Sequence, residues 1–392
     1  MDESAWWPEG IAQSTIDEAN LEGELRTSFG RTTTWDFQPF LSASAWQEAP
    51  GKGIVWGQWV SEISNVEILS SSSSGITVVL NEMFQADIQP FGVGDDVSRL
   101  SRYGPWKEVL ENQLIHLPIG GWTVDGHDRV LIYPRHPITS ATNNEEQVLA
   151  MVKHLGAIHS SLATFETPST ERRWNDRLKS MEDELKTKTM WRAPHSSSTV
   201  GLPRLHLSLK RLVDVDGVTK FIPHSRSLAE HLLCQNDRLP SLASLMILER
   251  QWSAEKPISE AQRRLLLETW SRSCPSQWSS QPALSTVRGG AWVWRYHAAL
   301  LELAQATAFA DESSVERCKA WLHDVSRLQA HLGTLRMWKS GQWVGVTSLI
   351  VAFFSSRMET LSTTQSLLLA VLGGVIIFAS NVIYRMKDPK PY

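Results

Sequence analysis

The sequence predicts an α+β chain in two lobes, a small one that mixes hairpins with helices and a larger helical one, followed by a pair of apolar segments. Three observations predict this. Two Asp-Gly turn signals, Asp125-Gly126 and Asp216-Gly217, each lie between short runs rich in β-branched residues, and both fall before residue 236. From about residue 242 to 335 the apolar positions recur at helical spacing with only short breaks. Close to the C-terminus, residues 366–384 read SLLLAVLGGVIIFASNVIY, 19 residues without a charge. At ~1.5 Å rise per residue that run spans roughly one hydrocarbon core.

The composition fits a folded chain. Its 392 residues are 42% hydrophobic and 20% charged, enough for two domains with substantial cores. The formal net charge of −4 carries no basic field, so a nucleic-acid partner is not expected. Cys234, Cys274 and Cys318 are far apart and odd in number, which supports neither a disulfide framework nor a zinc site. The acidic start, MDESAWWPEG, lacks the apolar core of a signal peptide. Tryptophan is abundant, 18 residues against 5 tyrosines, and is expected at lobe contacts or near a bilayer surface.

The elements follow in order. Residues 1–50 read as a polar, partly helical extension. The stretches 55–69 and 76–87 carry apolar positions compatible with helices, separated by the serine run 70–74. Residues 119–133 form a hairpin about Asp125-Gly126. A long helix fits 143–164, with Asn143 or Asn144 as its cap and Glu145 and Glu146 in its first turn. Another fits 171–190. Residues 202–222 read as a second hairpin, and a helix begins at Ser225 or Ser227. The units are therefore 1–50, a small lobe at 51–235, a helical lobe at 236–335 and an apolar pair at 340–384.

The apolar pair reads as a transmembrane hairpin. Residues 340–356 are also uncharged. Arg336 and Lys339 precede them, Arg385, Lys387 and Lys390 follow the second segment, and only Arg357 lies in the connector. Basic residues on the cytoplasmic side place the large N-terminal part and the C-terminus there. Ala370 and Gly374, four apart, are the small residues expected to let the two helices approach.

Several pieces between residues 50 and 235 resemble, in order, the UbiB/AarF family of atypical kinase-like proteins. That family has a signature helix with Lys-x-Gly-Gln and a serine three residues later. Here Val55-Trp56-Gly57-Gln58 and Ser61 match the Gly-Gln and the serine and lack the lysine. Phe84-Gln85-Ala86-Asp87-Ile88-Gln89-Pro90 is similar to the segment that follows it. Val130-Leu131-Ile132-Tyr133-Pro134-Arg135-His136-Pro137 looks like the strand that carries the nucleotide-contacting lysine. Depending on the register, Ile132 or Tyr133 occupies the lysine position. Gly120-Gly121 stand where the family has its small-residue phosphate loop. Trp174 to Lys186 is weakly like the family's acidic helix, and Leu202 to His206 and Phe221 to Leu228 are similar to the segments that flank its hinge. The family often ends in a two-span membrane hairpin.

The resemblance implies a two-lobed protein-kinase-like fold, with Gln58, Ser61, Ile132 and Tyr133 as degenerate pocket positions. Phosphoryl transfer needs a cation on the phosphates, a base or orienting carboxylate, and ligands for Mg²⁺. The sequence contains no Asp-Phe-Gly and no His-x-Asp with an asparagine five residues on. His206-Leu207-Ser208 has serine at the aspartate position, and the hairpin reading of 202–222 accounts for it better. No catalytic residue, metal or cofactor is therefore expected. The implied function is a membrane-anchored, inactive relative that binds a lipid or protein partner, with isoprenoid-lipid or quinone metabolism as the setting the resemblance implies. The alternatives are an active ATP- and Mg²⁺-dependent enzyme with rearranged residues such as Glu182 or Asp214, and a helical membrane adaptor unrelated to kinases. Outside this resemblance, His154 and His159 read as ordinary surface or core histidines, Asp214 and Asp216 as turn residues, and Arg263, Arg264, Arg295, Arg317 and Lys319 as a solvated helix face.

Overall fold

The computed structural model describes residues 5–13, 23–92, 114–168, 171–187, 200–203, 205–234 and 238–389. Its centre is a six-stranded antiparallel sheet. In chain order the strands are β3 (Ile54–Gly57), β4 (Val66–Ser72), β5 (Gly75–Leu80), β6 (Phe84–Ile88), β7 (Gly120–Val124) and β8 (His127–Pro134). In space they run β3-β7-β8-β6-β5-β4. The expected helices at 55–69 and 76–87 are thus strands. In the second stretch Ile76, Thr77, Val78 and Val79 favour an extended chain, and in the first the helical spacing of Ile63, Val66 and Leu69 runs from the loop into β4. Gly57 ends β3 at φ +66°, and a Cβ there would lie 2.2 Å from the Ile119 carbonyl oxygen. The turn between β5 and β6 is Asn81-Glu82, with φ of 49° and 59° at the two residues, the geometry a tight hairpin requires. Glutamate rarely adopts positive φ, so this turn has no sequence signal.

The N-terminal segment is not a polar extension. It supplies a small hairpin, β1 (Gly23–Thr27) with β2 (Gly30–Thr34), and a short helix, α1 (Ser44–Glu48). Trp6, Phe37, Phe40 and Trp46 from this segment pack with Trp122, Val130 and Ile132 in one core that covers the outer face of the sheet. This region answers much of the tryptophan question. The indole N–H groups of Trp35, Trp46, Trp59 and Trp122 donate to the carbonyls of Gln89, Phe40, Trp46 and Ala49 at 2.5–3.1 Å. Each ring adds apolar area while its polar edge satisfies a buried loop carbonyl.

The helical lobe begins earlier in the chain than expected. Helix α2 (Glu145–Ser161) already belongs to its core, with Val148, Val152, Leu155 and Ile158 buried there. Asn144 caps α2 by accepting from the N–H groups of Glu146 and Gln147. Beyond β9 (Ile138–Thr139), β10 (Thr167–Pro168), α3 (Glu171–Glu184) and β11 (Val200–Gly201) come β12 (Leu212–Val215) and β13 (Val218–Phe221). These last two form the hairpin about Asp216-Gly217, shorter than the expected 202–222. Residue 204 and residues 188–190, which end the expected 171–190 helix, lie outside the described residues. Ser227 caps α4 (Leu228–Leu233), as expected.

Helices α5 (Ser241–Glu255), α6 (Glu260–Ser271), α7 (Gln281–Leu284) and α8 (Gly290–Ala308) complete the lobe. Arg295 does not sit on a solvated face. It is buried in a two-point pair with Glu249, with contacts of 2.7 and 2.8 Å. A charge at that depth is tolerated because both guanidinium contacts are satisfied.

Helix α9 (Glu312–Arg357) runs 46 residues without a break, from the helical lobe into the first apolar segment. Cys318, Leu322, Val325, Leu332 and Leu335 anchor its first part in the lobe core. Helix α10 (Thr363–Lys387) returns antiparallel to it. The close approach is at Gly345 and Gly373: a Cβ on Gly345 would lie 2.7 Å from the Gly373 carbonyl oxygen. Gly374, expected at this contact, faces open space. Phe353, Phe354, Leu367 and Phe378 are each more than half exposed. Among the described residues, helix α10 alone is long and apolar enough to cross a membrane, with a mean hydropathy of 2.3 over its best 18 residues.

His159 gives a pH test of the helical lobe. It is wholly enclosed, accepts a hydrogen bond from the Trp270 indole at 3.0 Å, and burial lowers its pKa to about 3. The unfolded chain then binds a proton near the ordinary histidine value that the folded chain refuses. Stability from this residue is complete above pH ~6.5 and falls as the pH drops toward 3. Moving from pH 7 to pH 5 is expected to cost about 2 kcal/mol through His159. Chemical denaturation of wild type and His159→Gln at both pH values checks this, and the pH sensitivity shrinks in the variant.

Candidate functional site between the lobes

The central strands β5 to β8 are buried on both sides, and alternation along β8 decides which residue looks where. Val130 and Ile132 point into the aromatic N-terminal core, whereas Leu131 and Tyr133 point toward the β12–β13 hairpin of the helical lobe. Strand register lines up Trp56, Gly121, Leu131, Asp87 and Thr77 as one row across five strands. By the same alternation this row shares the face of Leu131. It is the surface on which a nucleotide would rest in the two-lobed arrangement implied by the sequence resemblance.

That surface is occupied by the protein itself. Leu131 and Tyr133 pack against Val213 and Ile222, all at most 3% exposed, with Trp56, Ile138 and Val215 around them. Trp56 lies across β7, where a Cβ on Gly121 would meet its ring at 2.6 Å. Gly120 is held as closely, 2.2 Å from the Gln58 carbonyl oxygen on the same measure. The two glycines therefore serve strand pairing and ring packing inside the sheet, not a phosphate loop.

Two polar links fasten the layers together. Arg211, just before β12, reaches the Asp87 carboxylate at 2.5 Å, and Thr77 Oγ1 donates to the same carboxylate at 2.8 Å. Tyr133 Oη donates to the Pro223 carbonyl at 3.3 Å, and burial pushes its phenol pKa well above the ordinary range. At the rim His116 stacks on Tyr133 with ring centroids 5.9 Å apart. Burial first, then the nearby His136 and Lys220, lowers the His116 pKa to about 4, so the ring is neutral at neutral pH.

The four sequence-predicted pocket positions do not come together. Gln58 and Ser61 are exposed on the loop after β3, and only the Gln58 backbone is engaged, its N–H donating to Ile119. Ile132 faces the opposite core. Tyr133 alone enters the space between the lobes. Sequence reasoning missed Arg211 and Trp56, and it quoted Asp87 without a role. Arg211 and Asp87 are 124 residues apart, and nothing local in the sequence ties them.

The loop ahead of the hairpin was also misread. His206-Leu207-Ser208 is a separate loop before β12, not part of a strand. Ser208 Oγ donates to Gln251 Oε1 at 3.3 Å and accepts from the Lys210 N–H at 3.1 Å. His206 Nδ1 lies 3.7 Å from Glu230. This loop borders a cavity of about 360 Å³ that extends between α5, α8 and the first turn of α9 and reaches Ser73 at the β4–β5 turn of the sheet. Asp214, proposed for the active alternative, accepts from the Gly217 N–H in the turn, and Glu182 takes a hydrogen bond from Tyr296.

No family model matches this chain, and neither does any curated protein. Among solved structures it is similar to a glucosamine kinase, with a TM-score of 0.45 and 11% identity over 79% of this chain and 98% of that one. A complex of glucosamine kinase with glucosamine, ADP and inorganic phosphate gives 0.44 and 12%, covering 79% and 99%. The GDP complex of wild-type aminoglycoside 2'-phosphotransferase-IIIa gives 0.40 and 8%, covering 68% and 94%. Scores below 0.5 leave the kinase-like plan to be judged on the strand order and loop positions of this chain itself.

Proposed function

We propose that this chain is a membrane-anchored, kinase-like protein that does not transfer phosphate and acts by binding a partner. The single observation that carries the reading is the filled space between the lobes. An antiparallel sheet, a following helix, a loop with His-x-Ser and a hairpin stand in the order of a kinase. Measured against the general His-Arg-Asp-Leu-x-x-x-Asn loop, Ser208 falls on the base and Val213 on the metal-binding asparagine. Ser208 is spent on Gln251, and Val213 is a buried packing residue. Arg211, the cation buried against this face, is committed to Asp87, and Lys220 on β13 lies at the rim beside His116. These substitutions support a reading without phosphoryl transfer, which depends on a base and metal ligands at those positions.

Kinship with the UbiB/AarF family is not part of the proposal, because the Gly57-Gln58 stretch that would carry the family's helix is a strand end and a loop. An isoprenoid or quinone partner loses its support with it. The partner is a lipid or a protein met at the membrane surface. The bilayer anchor is α10 together with the second part of α9. The exposed Phe353, Phe354, Leu367 and Phe378 and the basic residues outside both helix ends support this.

Two measurements test the proposal. Addition of ATP with Mg²⁺ to the purified full chain is expected to leave its melting temperature unchanged. A nucleotide at ~100 times its dissociation constant would stabilise by about 2.7 kcal/mol, a rise of several degrees, and such a rise would overturn the non-catalytic reading. Alkaline carbonate extraction of membranes is expected to leave the chain in the pellet. Release into the supernatant would remove the anchor.

A further inference from the structure

The cavity beside the His206 loop has a make-up of its own. On α5, Ser244, Ile247, Gln251 and Ala254 line it, at spacings of three, four and three residues. They form one helical stripe that is only partly buried, on a helix otherwise deep in the core. On α8, Leu301 and Gln305 line it from the facing side, and Leu155 adds apolar wall. Its volume, about 360 Å³, falls in the ~300–1,000 Å³ range of small-molecule sites.

The charges around the cavity are compensated inside the protein. Lys210 pairs with Glu255 at 2.6 Å, His206 with Glu230 at 3.7 Å, and Glu302 is held by both Arg317, at 2.6 Å, and Arg250. Asp311 accepts from the Ser314 N–H as the cap of α9. An ion entering the cavity would find each counter-charge already engaged. The glutamines differ. Gln251 Oε1 accepts from the Leu209 N–H at 2.9 Å, and Gln305 Oε1 accepts from the Ala229 N–H at 3.2 Å. A backbone N–H can only donate, so both amide orientations are fixed, and each –NH₂ is left as a donor at the cavity wall.

The position of the cavity limits where a ligand comes from. Ser314 lines it, and the apolar part of α9 begins near Gly341 on the same unbroken helix. Those 27 residues hold the cavity ~40 Å along α9 from the apolar segment, beyond the reach of a lipid that stays seated in the bilayer.

We propose that this cavity binds a neutral amphipathic small molecule taken from the aqueous phase. Its hydrocarbon body lies on the Leu155, Ile247 and Leu301 walls, and a carbonyl or hydroxyl oxygen accepts from the Gln251 or Gln305 amide. This site is distinct from the packed face of Leu131 and Tyr133, and it does not depend on the nucleotide reading.

The test uses the full chain in phosphatidylcholine nanodiscs and the dye 6-propionyl-2-dimethylaminonaphthalene, which is uncharged and carries one carbonyl acceptor. The readout is energy transfer from the chain's tryptophans to the dye. Wild type is expected to give a saturable signal above that of Ala254→Trp, whose ring fills the cavity and leaves the melting temperature the same or higher. Ser244→Phe is a second filler should the first fail to fold. Gln305→Glu keeps the acceptor for Ala229 and removes the donor, and is expected to weaken dye binding about tenfold. 1-Hexanol is expected to displace the dye, and hexanoate and hexylammonium at the same concentration are not. Equal signals from wild type and a folded filler variant would place the dye in the bilayer and overturn the proposal. Displacement by either ion as effective as that by hexanol would overturn the neutral class.

Discussion

Asp87 and Arg211 join two layers that share no strand pairing at this point. One residue belongs to the central sheet, the other to the loop before the hairpin of the helical lobe. Both are largely removed from water, with side-chain exposures of 6% and 17%. Desolvating two charges costs several kcal/mol, and the cost is recovered only when geometry and further hydrogen bonds are good. Thr77 supplies one of those bonds. Leu131, Tyr133, Val213 and Ile222 close around the pair, lower the local dielectric and make either charge expensive without the other. The packed face and the filled space both follow from this one joint.

The rest of the molecule arranges itself about that joint. The aromatic N-terminal segment covers the other face of the sheet, so β8 is apolar along its whole centre. The cavity lies to one side, where the stripe on α5 and the facing stripe on α8 diverge. Helix α9 starts at its edge and runs unbroken to the apolar pair, so the cavity borders the first turn of the helix that leads to that pair.

Much of this was legible in the sequence wherever local chemistry decides local structure. Asp125-Gly126 and Asp216-Gly217 marked two real hairpins, and Asn144 and Ser227 marked two real helix starts. The helical half was legible from its periodicity. The strands β3 to β6 were not. They are short, their apolar spacing also suits a helix, and the Asn81-Glu82 turn lacks the glycine that normally announces such a turn. The N-terminal layer was missed because its core is made by isolated tryptophans and phenylalanines with no period. At the site, Tyr133 faces the space between the lobes, while Ile132 falls on the other face by the alternation of a single strand. The Asp87–Arg211 pair was beyond reach because a contact across 124 residues leaves no local trace.

A double-mutant cycle on this pair tests the account most directly. Asp87→Leu and Arg211→Met each leave one buried charge without its partner, and each is expected to lower the unfolding free energy by about 3 kcal/mol. The double variant removes both charges and keeps apolar volume. It is expected to lose less than either single variant, a coupling of at least ~2 kcal/mol. Single losses below ~1 kcal/mol, or costs that simply add, would mean that the pair is a solvated contact and that the space between the lobes is open.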